Sequence, residues 1–187
     1  MSSVVIAGNT SGSVTLAAPD VAGTTTLTLP STSGNVITSA NISSNLPAGS
    51  ILQVVYASSG TLFSTTSQTL QDTGFSATIT PSSSSSKILI ISNNNMYVGQ
   101  NAQGASYVFG RVSLARNTTQ LQEARLATNT GGSITDIVQT SPITYLDSPS
   151  TTSAVTYRIY IASINFSFST IFNNTAPSSM TLIEVKG

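Results

Sequence analysis

Apolar and polar residues alternate along several short segments of this chain, which is the pattern of half-buried β-strands. The alternation is clearest over residues 75–79 and 155–161. Because successive side chains of a strand point to opposite faces, each segment presents one apolar face to a core. Clusters of Gly, Asn, Ser and Pro separate the segments, so the chain is predicted to be all-β, an antiparallel sandwich or jelly roll. The predicted strands are 51–56, 75–80, 87–91 with 96–98, 107–116, 121–127, 134–140, 143–146, 154–164 and 180–185.

Two segments of the chain have more than one interpretation. Residues 121–127 are predicted as a strand, but the segment 119–128, with Leu121, Ala124, Arg125 and Ala127, also fits a short helix. The serine run 82–86 precedes an apolar strand. It is either a solvated hairpin loop or a modified or ligand-binding serine tract.

The N-terminal quarter contains an internal repeat. The eight-residue copies GSVTLAAP, from Gly12, and GTTTLTLP, from Gly23, share Gly, Leu and Pro at the same offsets. Each copy predicts a short strand that Gly opens and Pro stops. The alternating apolar residues of the two copies are Val14, Leu16, Leu27 and Leu29. A strand pair this short cannot bury its apolar side alone. These residues are therefore predicted to contact the following domain or another chain.

The distribution of charge supports a division into an arm and a head. Among the first 71 residues only Asp20 is charged, and the other eleven charged residues lie in 72–187. Residues 38–50 contain Asn, Pro and Gly and are predicted to be a linker. Residues 1–48 are thus predicted to be an extended attachment arm and 49–187 a jelly-roll-like head. A neutral arm that cannot bury its own leucines is expected to become ordered against partner chains.

Composition excludes several functional classes. The 187 residues include six Lys and Arg, six Asp and Glu, and no His or Cys. Without His and Cys there is no Ser-His-Asp triad, no cysteine nucleophile, no ordinary zinc site and no disulfide. Six isolated cations form no basic patch, so nucleic acid is not an expected ligand. No apolar run reaches the length of a membrane span and no signal peptide stands at the start, so membrane insertion is not expected.

Several motifs of the chain resemble a β-rich domain of structural proteins of marine bacteriophages, especially cyanophages, which are commonly labelled tail-fibre-like. The motifs are LQDTG at 70–74, TITP at 78–81, SKILI at 86–90, LDSP at 146–149, VTYR at 155–158 and MTLIEV at 180–185. The repeat over 12–30 and the segment SGNVI at 33–37 are similar to the start of phage fibre proteins. With both parts, the resemblance covers most of the chain.

The resemblance implies a homotrimeric protein on the exterior of the virion with a jelly-roll-like head. Two functions follow from it. As a short tail fibre or adhesin, the head would contact a host-surface glycan and the arm would join the tail. As a capsid decoration protein, the arm would lie on the shell and the head would cement or shield it. The composition agrees with external display in salt water, since few contacts of a nearly uncharged protein depend on screened charge.

One candidate binding site is an aromatic residue beside two amides. Phe172 is followed by Asn173 and Asn174, and carbohydrate sites often combine an exposed ring with amide side chains. The alternative is that Phe172 fills the β-core or a trimer axis.

The arginines are the more discriminating charged residues. In a chain with so few charges each is expected to pair with an acid of its own or a neighbouring subunit, which is a structural role. The alternative is capture of an acidic sugar or a phosphate. The expected ion-pair residues are Arg111, Arg116, Arg125 and Arg158 with Glu123, Asp136 and Asp147.

The remaining polar motifs indicate no enzyme, metal or cofactor. A glycosidase needs two facing carboxylates, and no pair has a meaningful spacing in this sequence. Asp72 and Asp147 precede Thr-Gly and Ser-Pro, and are predicted to bond the backbone of turns. The run 93–95 of three asparagines could offer oxygens to calcium, but no acids cluster with it, so a loop or strand edge is predicted.

Overall fold

The structure, a computed structural model, describes residues 3–7, 9–17, 20–21, 23–24, 26, 28, 31–33, 42–100, 107–129, 136–164 and 168–187. By its contacts the chain divides into two compact units, Met1–Thr38 and Ser39–Gly187. The predicted boundary after residue 48 falls within the second unit. There Gly49 N–H donates to the Lys186 carbonyl at 2.8 Å, and Lys186 N–H donates to the Ser50 carbonyl at 2.9 Å. The end of the predicted linker is thus bonded to the C-terminal segment.

The first unit contains a hairpin of β1 (Ser3–Ala7) and β2 (Ser13–Ala17). β2 coincides with the strand predicted in the first repeat copy. The sequence pattern did not predict β1, and it paired the two repeat copies with each other. In the structure β2 pairs with β1. Half of that second copy, including Leu27 and Leu29, lies outside the described residues.

The second unit begins with one helical turn, α1 (Ile42–Asn45), followed by strands that pair antiparallel. The strands are β3 (Ile51–Ser59), β4 (Phe63–Thr65), β5 (Gln71–Ile79), β6 (Lys87–Gln100), β7 (Tyr107–Arg116), β8 (Thr119–Asn129), β9 (Asp136–Asp147), β10 (Val155–Ser163), β11 (Phe168–Phe172) and β12 (Ser178–Val185). The predicted all-β, antiparallel fold class is confirmed.

The strands form two sheets that share one core. One sheet has the order β5–β10–β7–β8, and the other has β3–β12–β6 with β9 on the far side of β6. β11 follows β12 along the same side of β6, and β4 pairs with β11. The sheets contain four nested antiparallel pairs, as in one long hairpin folded over on itself. These pairs are β3–β12, β5–β10, β6–β9 and β7–β8.

The core lies between the two sheets and follows the alternation of the sequence. In β10 the apolar positions Val155, Tyr157, Ile159 and Ile161 are buried, and the residues between the first three of them are half-buried. Across the core the rings of Phe75 and Phe172 lie 5.8 Å apart. Each fully buried side chain of this size contributes on the order of 1.5–3 kcal/mol.

Pairing between strands confirms the strand interpretation of β8 and changes the bounds of several other predicted strands. Residues 119–129 form a strand and not a helix, because β8 pairs along its length with β7. Predicted pairs of short segments join into the continuous strands β6 and β9. Pro142, which suggested a break, is tolerated because β9 pairs only with β6 among the described strands, and an edge strand can lack one N–H donor. The short strands β4 and β11 were missed.

Candidate functional site

The outer face of the β5–β10–β7–β8 sheet carries five of the eleven charged residues of the second unit, and they form three ion pairs. Arg111 and Glu123 lie 3.4 Å apart, and Arg125 lies 3.5 Å from the other oxygen of the same carboxylate. Arg111 also donates to the Gln68 carbonyl. Glu123 is thus shared between two arginines, which leaves one excess positive charge on this part of the face. Arg125 is the exposed member, with 69% of its side chain accessible.

Arg158 pairs with Asp72 at 3.2 Å, an acid that sequence analysis placed in a turn and not in an ion pair. Both side chains are more than one-third exposed, so the pair contributes at most about 1 kcal/mol to stability. The other oxygen of Asp72 accepts a hydrogen bond from Gly74 N–H at 2.8 Å. The expected bond between this aspartate and its own backbone is therefore present alongside the ion pair.

The LQDTG motif forms an irregularity inside β5 and not a turn between strands. Opposite β10 the register jumps from Ser76 to Asp72 while β10 advances only from Arg158 to Tyr160. Gly74 has a φ of 78°, a left-handed conformation that suits glycine. The Thr73 hydroxyl donates to the Ile159 carbonyl at 2.7 Å and satisfies that backbone group within the irregularity. Bulges of this kind redirect side chains, and this one brings Asp72 opposite Tyr160.

Replacing Gly74 tests the importance of this conformation. No atom lies within 4 Å of the position of a Cβ at Gly74, so Gly74→Ala is opposed by the backbone conformation alone. We expect it to lower the free energy of unfolding by about 1 kcal/mol in denaturant titrations. Gly60→Ala is the control, because Gly60 lacks a positive φ and its nearest Cβ contact is 3.9 Å away. Equal effects of the two substitutions would contradict the strained-backbone account.

A cavity of about 350 Å³ opens on the same outer face. It is lined by Leu70, Ser113, Ala115, Thr118, Gln120 and Tyr160. Residues on β7, β8 and β10 meet there because Tyr160 pairs in register with Ser113, and Ser113 with Glu123. The lining thus joins the aromatic ring of Tyr160 and the apolar side chains of Leu70 and Ala115 to hydroxyl and amide groups. Pockets for small molecules have this mixed character, and this volume lies at the lower end of their range.

Polar groups of the cavity are available to a ligand. Within the described part of the chain, the hydroxyls of Thr118 and Tyr160 have no hydrogen-bond partner. The Gln120 amide donates to the Glu123 carboxylate at 3.4 Å, which is a long and weak hydrogen bond. By contrast, the Ser113 hydroxyl is committed to the Gln122 carbonyl at 3.1 Å.

Arg116 and Asp147 belong to the structure of the head and not to an exposed site. The Asp147 carboxylate is 6% exposed and receives Arg116 at 3.0 Å and the Tyr157 hydroxyl at 2.8 Å. The predicted turn role of Asp147 is replaced by this buried network. Burial first, and then the hydrogen bond to Asp147, raise the pKa of the Tyr157 phenol well above its ordinary value.

Asp136 lies at the other end of β9 and interacts with the phenol of Tyr97 instead of with an arginine. Burial and then the charge of Asp136 raise the pKa of Tyr97. The three asparagines lie within β6, and two of their amides are engaged by the protein. Asn94 donates to the Ser141 carbonyl, and Asn95 accepts from Thr140. Over the described residues, no group of His, Cys, Asp or Glu could hold a metal ion.

Phe172 and Asn173 belong to the interior, which agrees with the β-core interpretation of Phe172 and not with the aromatic-amide site. Phe172 is 0% exposed and packs against Phe75, so its ring has no free face for a sugar. Asn173, 6% exposed, donates to the Thr61 carbonyl and accepts from the Ser178 backbone N–H, each at 2.9 Å. Only Asn174 is exposed. Phe172 is the last residue of β11. Because β11 packs against the core, the ring of Phe172 is buried and cannot bind a sugar.

Glu184 is a buried acid to which sequence analysis gave no role. It is 0% exposed and accepts hydrogen bonds from Gln53, at 2.5 Å, and from the backbone N–H and hydroxyl of Ser82, both at 2.7 Å. The serine run is thus anchored at its first residue. Burial raises the pKa of Glu184, but the hydrogen bonds from serines and Gln53 together outweigh burial, and the pKa lies below its ordinary value.

The apolar residues predicted for the arm are exposed within the hairpin. Val14 is 62% and Leu16 is 55% accessible. In register they face Ile6 and Val4, which are equally exposed. The hairpin therefore presents an apolar face formed by Val4, Ile6, Val14 and Leu16.

The cavity around Tyr160 was not predicted. Its residues come from β7, the turn between β7 and β8, β8, β10 and the segment before β5, and no local motif connects them. The sequence signal closest to it was the alternating aromatic content of β10. No helix of the described chain is long and apolar enough to cross a membrane. No known family model matches the chain, and no curated protein matches its sequence significantly.

Proposed function

We propose that this chain is a non-enzymatic structural protein on the exterior of a phage particle, a short trimeric tail fibre or adhesin whose head contacts the host surface. In this proposal the N-terminal arm joins other virion proteins, either of the tail or of the capsid. The hairpin with its exposed Val14 and Leu16 supports this role, because an uncharged apolar face is suited to contact with other protein chains.

We also propose that the head is a jelly roll. The support is the nesting of four antiparallel pairs. The first strand of the head pairs with the last, and each further pair lies inside the previous one in the sequence. If β4 is counted with β3 and β11 with β12, the head has eight strands in chain order, from β3 as strand 1 to β12 as strand 8. In this numbering the two sheets have the strand orders 1-8-3-6 and 2-7-4-5. Rolling one long hairpin into two Greek keys produces this order.

The observation that carries the adhesin proposal is the cavity at Tyr160. A pyranose ring has an apolar face that can lie against an aromatic side chain and a rim of hydroxyls that bond to amides and hydroxyls. Tyr160, Gln120 and Thr118 provide those groups at one cavity. Its volume of about 350 Å³ suits one or two sugar residues. The proposed ligand is therefore a short glycan segment at the host surface.

Glycan binding by the purified full chain tests this proposal. On an array of neutral and acidic oligosaccharides, we expect binding that Tyr160→Ala weakens by about tenfold or more, because the stacking surface is lost. Tyr160→Phe should retain most of the binding, and Tyr97→Ala, on the other sheet, should retain all of it. No binding by the wild type, or equal binding by Tyr160→Ala, would contradict the adhesin role.

Other features support the absence of catalysis. A glycan-cleaving enzyme needs two carboxylates available to the sugar. Asp147 and Glu184 are buried in hydrogen-bond networks, and Asp72 and Glu123 are held in ion pairs. None of these acids lines the cavity at Tyr160.

Capsid decoration is the second candidate function. It is favoured by the lack of a fibre shaft in the part of the chain that the structure describes, where the helical content is the single turn α1. Copy number per particle distinguishes the two candidates. Quantitative mass spectrometry of purified virions should give a few dozen copies or fewer for a tail fibre. Hundreds of copies would support decoration and exclude the fibre.

A further inference from the structure

The outer face of the other sheet carries a continuous apolar patch. In register across four strands, Val54 lies opposite Ile183, Ile183 opposite Leu89, and Leu89 opposite Leu146. An apolar row thus crosses the whole sheet from β3 to β9. Residues two positions away along a strand point to the same face, which adds Tyr56 and Ile91, and Ile51 lies at the end of β3. The patch consists of Ile51, Val54, Tyr56, Leu89, Ile91, Leu146 and Ile183.

The patch is open to solvent in the isolated chain. Tyr56 is 67% accessible, Ile51 is 61% and Leu146 is 52%. Side chains of this kind are normally buried in the core of a sandwich. Seven of them together expose on the order of 400 Å² of apolar surface, the size of the largest patch on a typical monomer and often a functional surface.

Charge is nearly absent from this face. No patch residue is charged. Lys87 borders the patch beside Val185, and Asp136 lies near the far end of β9. The acids Asp147 and Glu184, at the ends of β9 and β12, are buried. A partner recognised through charge would find almost nothing to bind here, whereas two copies of this face can meet without repulsion between like charges.

We infer that this patch is the contact through which copies of the chain associate. Its apolar area forms the central part of an interface, and the surrounding polar residues of the sheet, such as Asn93 and Thr144, can form the rim. A stable interface buries about 800 Å² per partner. A patch of roughly half that area with a polar rim meets this requirement. The inference assigns self-association of the chain to the sheet that does not carry the glycan cavity.

Sedimentation velocity of the full chain over a wide concentration range tests the assignment. We expect the wild type to be an oligomer that Leu146→Lys and Tyr56→Lys each weaken by at least about tenfold in dissociation constant, because a lysine repels its copy across the interface. Val138→Lys is the matched control. Val138 lies on β9, as Leu146 does, and is 57% accessible, but it belongs to no part of the patch. The Val138→Lys variant should associate with the same dissociation constant as the wild type.

The outcomes separate the patch from other contacts. A monomeric wild type at every concentration up to millimolar would overturn the inference. So would Leu146→Lys and Tyr56→Lys variants that associate as strongly as the wild type. Leu16→Lys tests the arm, and dissociation by this variant alone would place the contact on the hairpin and also overturn the inference. If Leu146→Lys fails to fold by circular dichroism, Tyr56→Lys decides the result. Glycan binding is measured separately, so failure of the adhesin role leaves this result interpretable.

Discussion

Asp147→Ala is expected to lower the free energy of unfolding by about 3 kcal/mol. Two partners lose their acceptor at once, since Arg116 and the buried Tyr157 hydroxyl both donate to this carboxylate. Tyr157 is 0% exposed, so water cannot replace the lost bond, and an unsatisfied buried hydroxyl costs about 1–3 kcal/mol. Arg116 keeps 29% of its side chain accessible and can be partly hydrated, which holds the total below the upper range for a broken buried ion pair.

The control for this prediction lies on the same strand. β9 begins with Asp136 and ends with Asp147, and the first of these is exposed. Asp136→Ala should cost less than about 1 kcal/mol, because its partner Tyr97 can bond to water. Both values are measured by urea titration at neutral pH. Equal costs at the two ends of β9 would contradict a special role for the buried network.

Glu184→Gln is expected to destabilise the chain by about 2 kcal/mol at neutral pH, and the difference should vanish in acid. The carboxylate accepts three hydrogen bonds in a site without solvent access. Bonds to a charged acceptor are stronger than bonds to the neutral amide that replaces it. The substitution keeps the shape of the side chain, so the loss reports charge and not packing.

The pH dependence follows from the direction of the shift. The pKa of Glu184 in the folded chain lies below its ordinary value. The stabilisation by this group is therefore present at pH values above the unfolded pKa and is lost as the pH falls through the folded pKa. Unfolding titrations from neutral pH into acid should show the wild type approaching Glu184→Gln. A gap that stays constant across this range would show that the charge does not stabilise the fold.

A second substitution tests the source of the shift. Ser82→Ala removes the hydroxyl that donates to Glu184 and leaves the backbone N–H bond in place. With fewer donors, burial has more weight, so the acid transition should move toward higher pH. An unchanged acid transition would mean that this hydroxyl does not stabilise the carboxylate.

Local pattern was sufficient where a segment's own residues decide its conformation. The alternation in β10 predicted both the strand and its buried positions, because period-two burial is a property of the strand itself. Pro142 and the asparagine run gave misleading breaks, since pairing along β6 and β9 overrides local preference. Phe172 kept two interpretations, because the sequence did not reveal which face of β11 meets Phe75.

Composition and short-range periodicity are enough to predict the all-β class, most of the strands and the neutrality of the N-terminal segment. Tertiary structure alone decided which acid each arginine meets, where the cavity opens and which face stays apolar. Asp72 reaches Arg158 only because the irregularity at Gly74 shifts the register of β5. The row from Val54 to Leu146 exists only because four strands distant in sequence pair in that register. Such features depend on long-range pairing, which no single segment specifies.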